Sequence, residues 1–292
     1  MITNLKVLIT GVNGLLGSEL CNTLVLSGCS VTSIYHVNLR ENVPLVKYQK
    51  VDFTSHHWVD DLPSQLDCII HLAQSANFRD FPQSALDVFK VNIDSTAQLL
   101  DYGRKVGVKQ FIYASSGGVY GNGVNPFNEN APLVPFKQLG FYLGSKACSE
   151  ILVQSYASIF NVIILRPFFM YGPGQNRNML IPRLMDSVAN GKPIVLQGEN
   201  GILINPIHVK DASSAVLAAM SVQDSSTFNI AGPDILSIRQ ICEGMGEFLG
   251  KKPCFEFQTE KSNDLIGDIS EMRNYLHNPI LHLLEVLNEI NE

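Results

Sequence analysis

Three groups of residues in this 292-residue chain have the types and spacing to do chemistry. Tyr142 and Lys146 are separated by Leu143, Gly144 and Ser145. On a helix that spacing puts both side chains on one face, about one turn apart. A phenol titrates near pH ~10 and is a poor base at neutral pH until a neighbouring ammonium stabilises the phenolate. A Tyr–Lys pair on one face is therefore an acid/base suited to a hydride-transfer reaction. The second group is Tyr113–Gly121, YASSGGVYG, where a serine hydroxyl can bond a substrate oxygen beside such a phenol. The third is KVLITGVNGLLGSEL, with Gly11, Gly14 and Gly17 between a strand pattern and a helix pattern. There Gly11 permits a tight turn, Gly14 lets the backbone approach a pyrophosphate, and Gly17 lets helix and sheet pack closely.

Taken singly, a YxxxK occurs by chance in many helices and a Ser/Gly turn commonly ends a strand, so the elements around them decide. Strand patterns fall at Lys6–Thr10, Val31–Tyr35, Val46–Asp52, Asp67–Ala73, Gln110–Ser115 and Val162–Arg166. Runs such as CIIHLA and VIILR are apolar throughout, as in strands covered on both faces. Helix patterns at Leu15–Ser27 and Ser84–Val106 stop at Gly28 and Gly107. This alternation predicts right-handed crossovers and an α/β fold, a doubly wound parallel sheet of the Rossmann kind. The glycine turn and YASSGGVYG then lie at the carboxyl ends of strands, where ligands of such sheets bind. Beyond about residue 172 the pattern loosens. It comprises a helix at Met179–Ala189, strands near Pro193–Leu196 and Leu203–His208, a helix at Ala212–Met220, a strand at Thr227–Ala231 and a helix at Ser237–Leu249. A helical tail, interrupted at Pro279, follows. The expected division is a dinucleotide-binding domain over residues 1–171 and a smaller C-terminal α/β substrate-binding lobe over 172–292, with chain crossings between them.

Composition narrows the class. Lys and Arg number 21 against 27 Asp and Glu, a net charge of −6 that argues against nucleic acid, whose phosphates need a basic face. Hydrophobic residues make up 46% and charged ones 16%, enough for a large core and too few charges for disorder. No apolar run is long enough to cross a membrane, and MITNLKVLIT reads as a first strand, not a signal peptide. Six cysteines without CxxC spacing read as small buried hydrophobes. The expectation is a cytoplasmic protein with no membrane or nucleic-acid partner. His56 and His57 with Asp60 and Asp61 read as a polar helix start after Thr54–Ser55, not a metal site.

Together, TGxxGxxG, HLA, SSxxVYG, YxxxK, LRPxxxYGPG and IHVxD stand in an order that resembles the extended short-chain dehydrogenase/reductase family. The resemblance is to its NAD-dependent epimerase/dehydratase branch, which acts on nucleotide sugars, and it spans essentially the whole chain. It implies Ser116, Tyr142 and Lys146 as catalytic residues. Gly11, Gly14, Leu15 and Gly17 match the pyrophosphate turn. Asp52, followed by Phe53, matches the acid that contacts adenine. Leu72, Ala73 and Gln74 match a cofactor-lining HLAA segment in which Gln74 replaces the usual second alanine. Asn92 matches a helix asparagine near the active site, Ala114 the end of the strand before the catalytic serine, and Pro167 a strand end packed on the nicotinamide. Tyr142 and Lys146 also face the cofactor. Relatives often dimerise through Ser84–Val106 and Tyr142–Phe160 as a four-helix bundle, so a homodimer is expected.

Departures from the pattern refine the expectation. The second strand ends SIYHVNLR, without the acid that binds both ribose hydroxyls, and His36 or Arg40 can meet a 2′-phosphate; of NAD and NADP this tilts slightly to NADP. Gly117 and Gly118 stand where dehydratases carry an acidic pair, against a 4,6-dehydratase. Phe169 and Ile204 stand where relatives carry two diphosphate contacts, leaving Arg177, Arg183, Asn205 and Lys261, with Ser116, Gly117 and Phe169 itself, to meet the substrate. The leading expectation is hydride transfer at C4 of a nucleotide-activated sugar, as a 4-epimerase or a 4-keto-sugar reductase. The alternatives are a reductase of a non-nucleotide carbonyl and a non-catalytic dinucleotide sensor.

Overall fold

Short apolar runs that cannot face water on either side need cover on both. The computed structural model, which describes residues 3–40, 42–259 and 263–291, gives them that cover. In chain order the strands are β1 (Lys6–Thr10), β2 (Ser30–Tyr35), β3 (Lys47–Lys50), β4 (Cys68–His71), β5 (Gln110–Ala114), β6 (Asn161–Pro167), β7 (Ile194–Gln197), β8 (Leu203–Ile204), β9 (Ser226–Ile230), β10 (Leu236–Ser237) and β11 (Phe255–Gln258). The helices are α1 (Leu15–Leu26), α2 (Ala85–Val88), α3 (Ser95–Val106), α4 (Phe136–Ser155), α5 (Leu180–Ala189), α6 (Val209–Ala219), α7 (Ile238–Leu249) and α8 (Asn288–Asn291).

Seven strands form one sheet in the order β3-β2-β1-β4-β5-β6-β9, and every pairing in it is parallel. This is the Rossmann arrangement the alternation predicts. Side chains alternate across the pleat. Val7, Ile9, Ile70 and Ile163 join a core with Leu20 and Leu24 of α1 and Ala212 and Val216 of α6. Leu8, Ile69, Phe111 and Val162 join the opposite core, with Leu99 of α3 and Val153 of α4. A third core gathers Ile181 and Met185 of α5, Ile194 and Leu196 of β7, and Ile241 and Met245 of α7. Residues after 171 thus supply both this third core and β9 and α6 of the main sheet.

Four segments differ from the sequence expectation. The strand expected over Leu203–His208 ends at Ile204, because the Asn205 side chain exchanges two hydrogen bonds with the Gly267 backbone and Pro206 has no N–H to give a ladder. The helix expected after Thr54–Ser55 is a run of turns; Asp52 accepts from both the N–H and the hydroxyl of Thr54, and His57 has a left-handed φ of 59°. The tail forms a π-helical turn (Met272–Leu276), a 3₁₀ turn (Leu283–Glu285) and the short α8. There the buried Asp211 carboxylate accepts from the N–H groups of Ile280 and Leu281 and bonds His277, taking donors a helix would use internally. The helix expected over Ser84–Val106 runs from Ala85 to Val106 but is widened by a π-helical turn at Phe89–Asp94.

The layers around the cleft are tied by a buried ion pair. Arg166 on β6 meets Glu150 on α4 through two bonds, 3.0 Å from Nε and 2.7 Å from Nη2, a fork geometry that suits guanidinium and carboxylate. Its Nη1 donates to the Tyr120 hydroxyl, 2.6 Å away, which donates to Asn229 on β9 at 2.9 Å. Glu150→Ala leaves the guanidinium buried without its counter-charge. Loss of about 3–5 kcal/mol of stability is expected in urea denaturation, and a cost below ~1 kcal/mol would contradict this reading of the pair.

Candidate active site

At the end of β1, Gly11 has φ +81° and no room for a side chain: a Cβ there would lie 2.8 Å from the Ala73 nitrogen. A Cβ on Gly17 would lie 2.2 Å from the Gly11 carbonyl oxygen, so α1 can start against the turn only because that position is glycine. Gly14 is the N-cap of α1 and no side chain caps it. Leu15 is the helix's first residue. The first-turn N–H groups are thus left for an external acceptor, which a pyrophosphate suits. Asn13, which sequence reasoning passed over, clamps the loop after β2: its Nδ2 donates to the Asn38 carbonyl (2.7 Å) and its Oδ1 accepts from the Arg40 N–H (3.0 Å). Its signal was a carboxamide inside the glycine turn. His36 lies 3.5 Å from Asp52, both exposed. Bonds from Thr54 hold the Asp52 carboxyl below the usual range, with His36 and Lys90 adding to the effect. Phe53 packs against Trp58 and edge-on to His71.

Tyr142 and Lys146 are set among β4, β5 and α4. His71 ends β4 fully buried between Thr10 (2.7 Å) and Thr96 (3.1 Å). Burial, with Lys146 adding, pulls it down to about 3, so it is neutral and structural. After Leu72, the Ala73 N–H donates to the Thr10 hydroxyl at 3.1 Å. The Ser75 N–H donates to Asn92 Oδ1 and Asn92 Nδ2 to Ser145 Oγ, both 2.9 Å; Ser145 Oγ donates to the Tyr142 carbonyl at 2.7 Å. Helix α4 is kinked at Gly140, φ +65°, and the turns after the kink carry Tyr142 and Lys146.

Lys146 is 2% exposed. Its Nζ donates to the Ala114 carbonyl at 2.9 Å and lies 5.2 Å from the centre of the Tyr113 ring. Burial pulls it down to about 7, with Glu150 opposing. The Tyr142 hydroxyl donates to Gln74 Oε1 at 2.9 Å and its ring packs on Phe78 at 4.6 Å. Burial pushes the phenol up to about 12, against the pull of the Arg79 guanidinium.

Ser116 caps the 3₁₀ turn Gly117–Tyr120, its Oγ accepting from the Gly118 N–H at 3.1 Å. The neighbouring Ser115 hydroxyl is buried and finds no hydrogen-bond partner among the described residues. A Cβ on Gly117 would lie 2.5 Å from the Phe168 ring, and one on Gly118 2.9 Å from Leu143. Pro167 closes β6, and Phe169 follows Phe168 in a left-handed conformation, φ +39°. The sheet edge therefore gathers Ala73, Gln74, Asn92, Ala114, Ser116, Tyr142, Lys146 and the glycine turn. Arg177 is held elsewhere, by Asp186 and, at 2.7 Å, the Ile290 carbonyl; Asn205 is committed to Gly267. Lys261 lies outside the described residues. Among the described residues no cluster of three His, Cys, Asp or Glu is placed to hold a metal ion, and no helix is long and apolar enough to cross a membrane.

Comparison with known proteins gives this geometry a context. Residues 7–231 match the model of the NAD dependent epimerase/dehydratase family. The chain is 29% identical to a UDP-N-acetyl-alpha-D-glucosaminuronate decarboxylase of Bacillus cytotoxicus over 255 residues, covering 82% of this chain and 78% of that one. It is 25% identical to a UDP-glucuronate 4-epimerase of Thermodesulfobacterium geofontis, covering 92% and 90%. Among solved structures, MoeE5 in complex with UDP-glucuronic acid and NAD superposes with a TM-score of 0.85 at 26% identity, covering 98% of both chains.

The depressed Lys146 pKa has a thermodynamic consequence. Between the folded value near 7 and the ordinary lysine value of 10.5, the unfolded chain binds the extra proton, so ligand-free stability rises with pH in that window. Buried cysteines and tyrosines, whose values are raised, act in the opposite sense from about pH 9 upward. Urea melts between pH 7 and about 9 should show the rise in the unaltered protein and a smaller slope in Lys146→Met. Equal slopes would mean that Lys146 keeps its proton when buried.

Proposed function

We infer that this chain, which belongs to the NAD dependent epimerase/dehydratase family, is an enzyme that moves a hydride at C4 of a nucleotide-activated sugar. The observation that carries the reading is Tyr142 and Lys146 on one face of α4, a helix packed against the turn that Ser116 caps, at the same sheet edge as the tight glycine turn. The residues fit a nicotinamide dinucleotide: glycines at 11 and 17 where a Cβ would collide, an uncapped helix start, and a buried ammonium with donors beyond its one backbone bond. When bound, that group supplies the hydride acceptor and donor. Gly11, Gly14 and Gly17 seat its pyrophosphate, Asp52 lies toward its adenine end, and Lys146 meets its nicotinamide ribose. Tyr142 takes the C4 hydroxyl proton when the sugar is oxidised and returns a proton when it is reduced. Ser116 donates to the same oxygen, and Lys146 stabilises the phenolate.

Of the two outcomes we favour 4-epimerisation of a UDP-sugar, since the similar proteins include a UDP-glucuronate 4-epimerase. We favour NAD over NADP. MoeE5 holds NAD, and His36, one candidate for a 2′-phosphate, faces the Asp52 carboxylate, which would repel one. The lobe over 172–292 is proposed to cover the sugar, and a homodimer is proposed through the helices at 84–106 and 142–160. Leu86 on α2 is 77% exposed and Ile151 on α4 62%, apolar side chains that a four-helix bundle would cover.

Mass analysis of the denatured protein should release NAD, and UDP-glucuronate or UDP-glucose should be converted to its C4 epimer. Tyr142→Phe should lower turnover by about 10²–10⁴-fold while bound nucleotide is retained. Turnover near that of the unaltered enzyme would overturn the mechanism. Light scattering should give the mass of two chains; a monomer would remove the dimer proposal.

A further inference from the structure

We propose that Gln74 is a positioning residue for Tyr142, holding the phenol in the substrate-free enzyme through a hydrogen bond that the C4 hydroxyl of the substrate must replace. The inference rests on the C4 hydride-transfer reading above. In the family pattern this position is an alanine, which offers the phenol nothing. Here the carboxamide oxygen accepts from the Tyr142 hydroxyl at 2.9 Å.

The two partners share one scaffold. Ser75, next to Gln74, is pinned by Asn92 and by its own hydroxyl bond to Asp87. Asn92 holds Ser145, and Ser145 holds the backbone of Tyr142. Phe78, from the loop that carries Gln74, covers the Tyr142 ring. The backbones that carry amide and phenol are therefore held by a buried network, from which the exposed Gln74 side chain reaches the phenol.

The chemistry assigns the bond to the resting state. An amide oxygen accepts a hydrogen bond but does not take up a proton at ordinary pH, so this bond exists only while Tyr142 is a phenol. To act as a base, Tyr142 must lose that proton. To act as an acid, it must aim the proton at the sugar oxygen. Neither is compatible with donation to Gln74. Around the phenol stand Arg79 on the same loop, Lys146 one turn along α4 and Tyr113 on β5, while Asp87 on α2 is bonded to Ser75 beside Gln74. Gln74 adds no charge of its own, and with its oxygen toward the phenol its effect is that of one neutral bond favouring the protonated form.

Gln74→Ala and Gln74→Glu test this. In ultraviolet difference titrations of substrate-free protein against the matching Tyr142→Phe background, Gln74→Ala should lower the Tyr142 titration by about half to one pH unit. Gln74→Glu should raise it, because a carboxylate both accepts and repels the phenolate. With UDP-glucuronate or UDP-glucose as substrate, the pH limb of kcat/KM, which reports the free enzyme, should move with each variant. The limb of kcat, which reports the complex, should stay in place for Gln74→Ala. A Tyr142 titration unmoved by Gln74→Ala overturns the proposal. So do limbs that move together, since the amide would then stay on the phenol throughout. The titration needs no turnover, so failure of the C4 reading and failure of this proposal are separate results.

Discussion

The geometry of the cleft depends on the hydrogen bonds of a single buried residue, Asn92. Its carboxamide joins the loop after β4 to α4, through the Ser75 N–H on one side and Ser145 on the other. Its backbone carbonyl accepts two hydroxyls, from Thr96 at 2.6 Å and Ser149 at 2.8 Å. A carbonyl inside an ordinary helix is taken by the amide four residues on. Asn92 lies in the π-helical turn Phe89–Asp94, where the spacing is wider, a device found often at functional sites. The residue is 1% exposed, so each partner it lost would be a buried polar group without water, at about 1–3 kcal/mol apiece. Loop, helix and the backbone of Tyr142 are thus held to one another by a network that is expensive to leave half made.

Burial sets the charge state of the site as firmly as it sets its shape. Lys146 is enclosed and bonded to one carbonyl, and desolvation brings its titration down to about 7. Desolvation moves the Tyr142 phenol the other way, to about 12. Both shifts favour neutral groups, so the low-dielectric floor of the cleft works against the ammonium–phenolate pair that the chemistry needs. The same low dielectric strengthens any electrostatic contact the pair makes once it is charged. Arg79 opposes the rise in Tyr142 from outside, bonded to the Asn178 carbonyl and stacked on Phe78. It reaches from the loop after β4 to the segment before α5, so a cation that favours the phenolate also bridges the two sides of the cleft.

What the sequence made legible was whatever is encoded by neighbours in the chain. The apolar runs fixed six strands of the sheet to within a few residues, and the glycine turn announced its steric role because three glycines share one short segment. The Tyr142–Lys146 spacing was readable for the same reason. Contacts between distant segments were not. Nothing local tells that Gln74 meets Tyr142, that Asn13 clamps residues 38–40, or that Asp211 draws the tail out of helix by accepting two of its N–H groups. The strand pattern at Leu203–His208 failed because Asn205 found a better partner in Gly267 than a ladder would give.

The same distinction between neighbours in the chain and neighbours in space bears on Gly117 and Gly118. In sequence, Gly117 and Gly118 are residues that lack an acid. In space they are residues that lack a Cβ for a reason. Phe168 is buried against Tyr120, and its ring occupies the volume a side chain on Gly117 would need. A Cβ on Gly267, from the far end of the chain, would lie 2.8 Å from that ring. Two glycines 150 positions apart, by 267 − 117, therefore accommodate one aromatic side chain. An acidic pair cannot be restored by substitution at 117 and 118 alone, because the ring and Leu143 would have to move first, and a close-packed interior resists that. The missing acids and the buried phenylalanine are one structural fact, because the volume a side chain on Gly117 would need is already filled by the Phe168 ring.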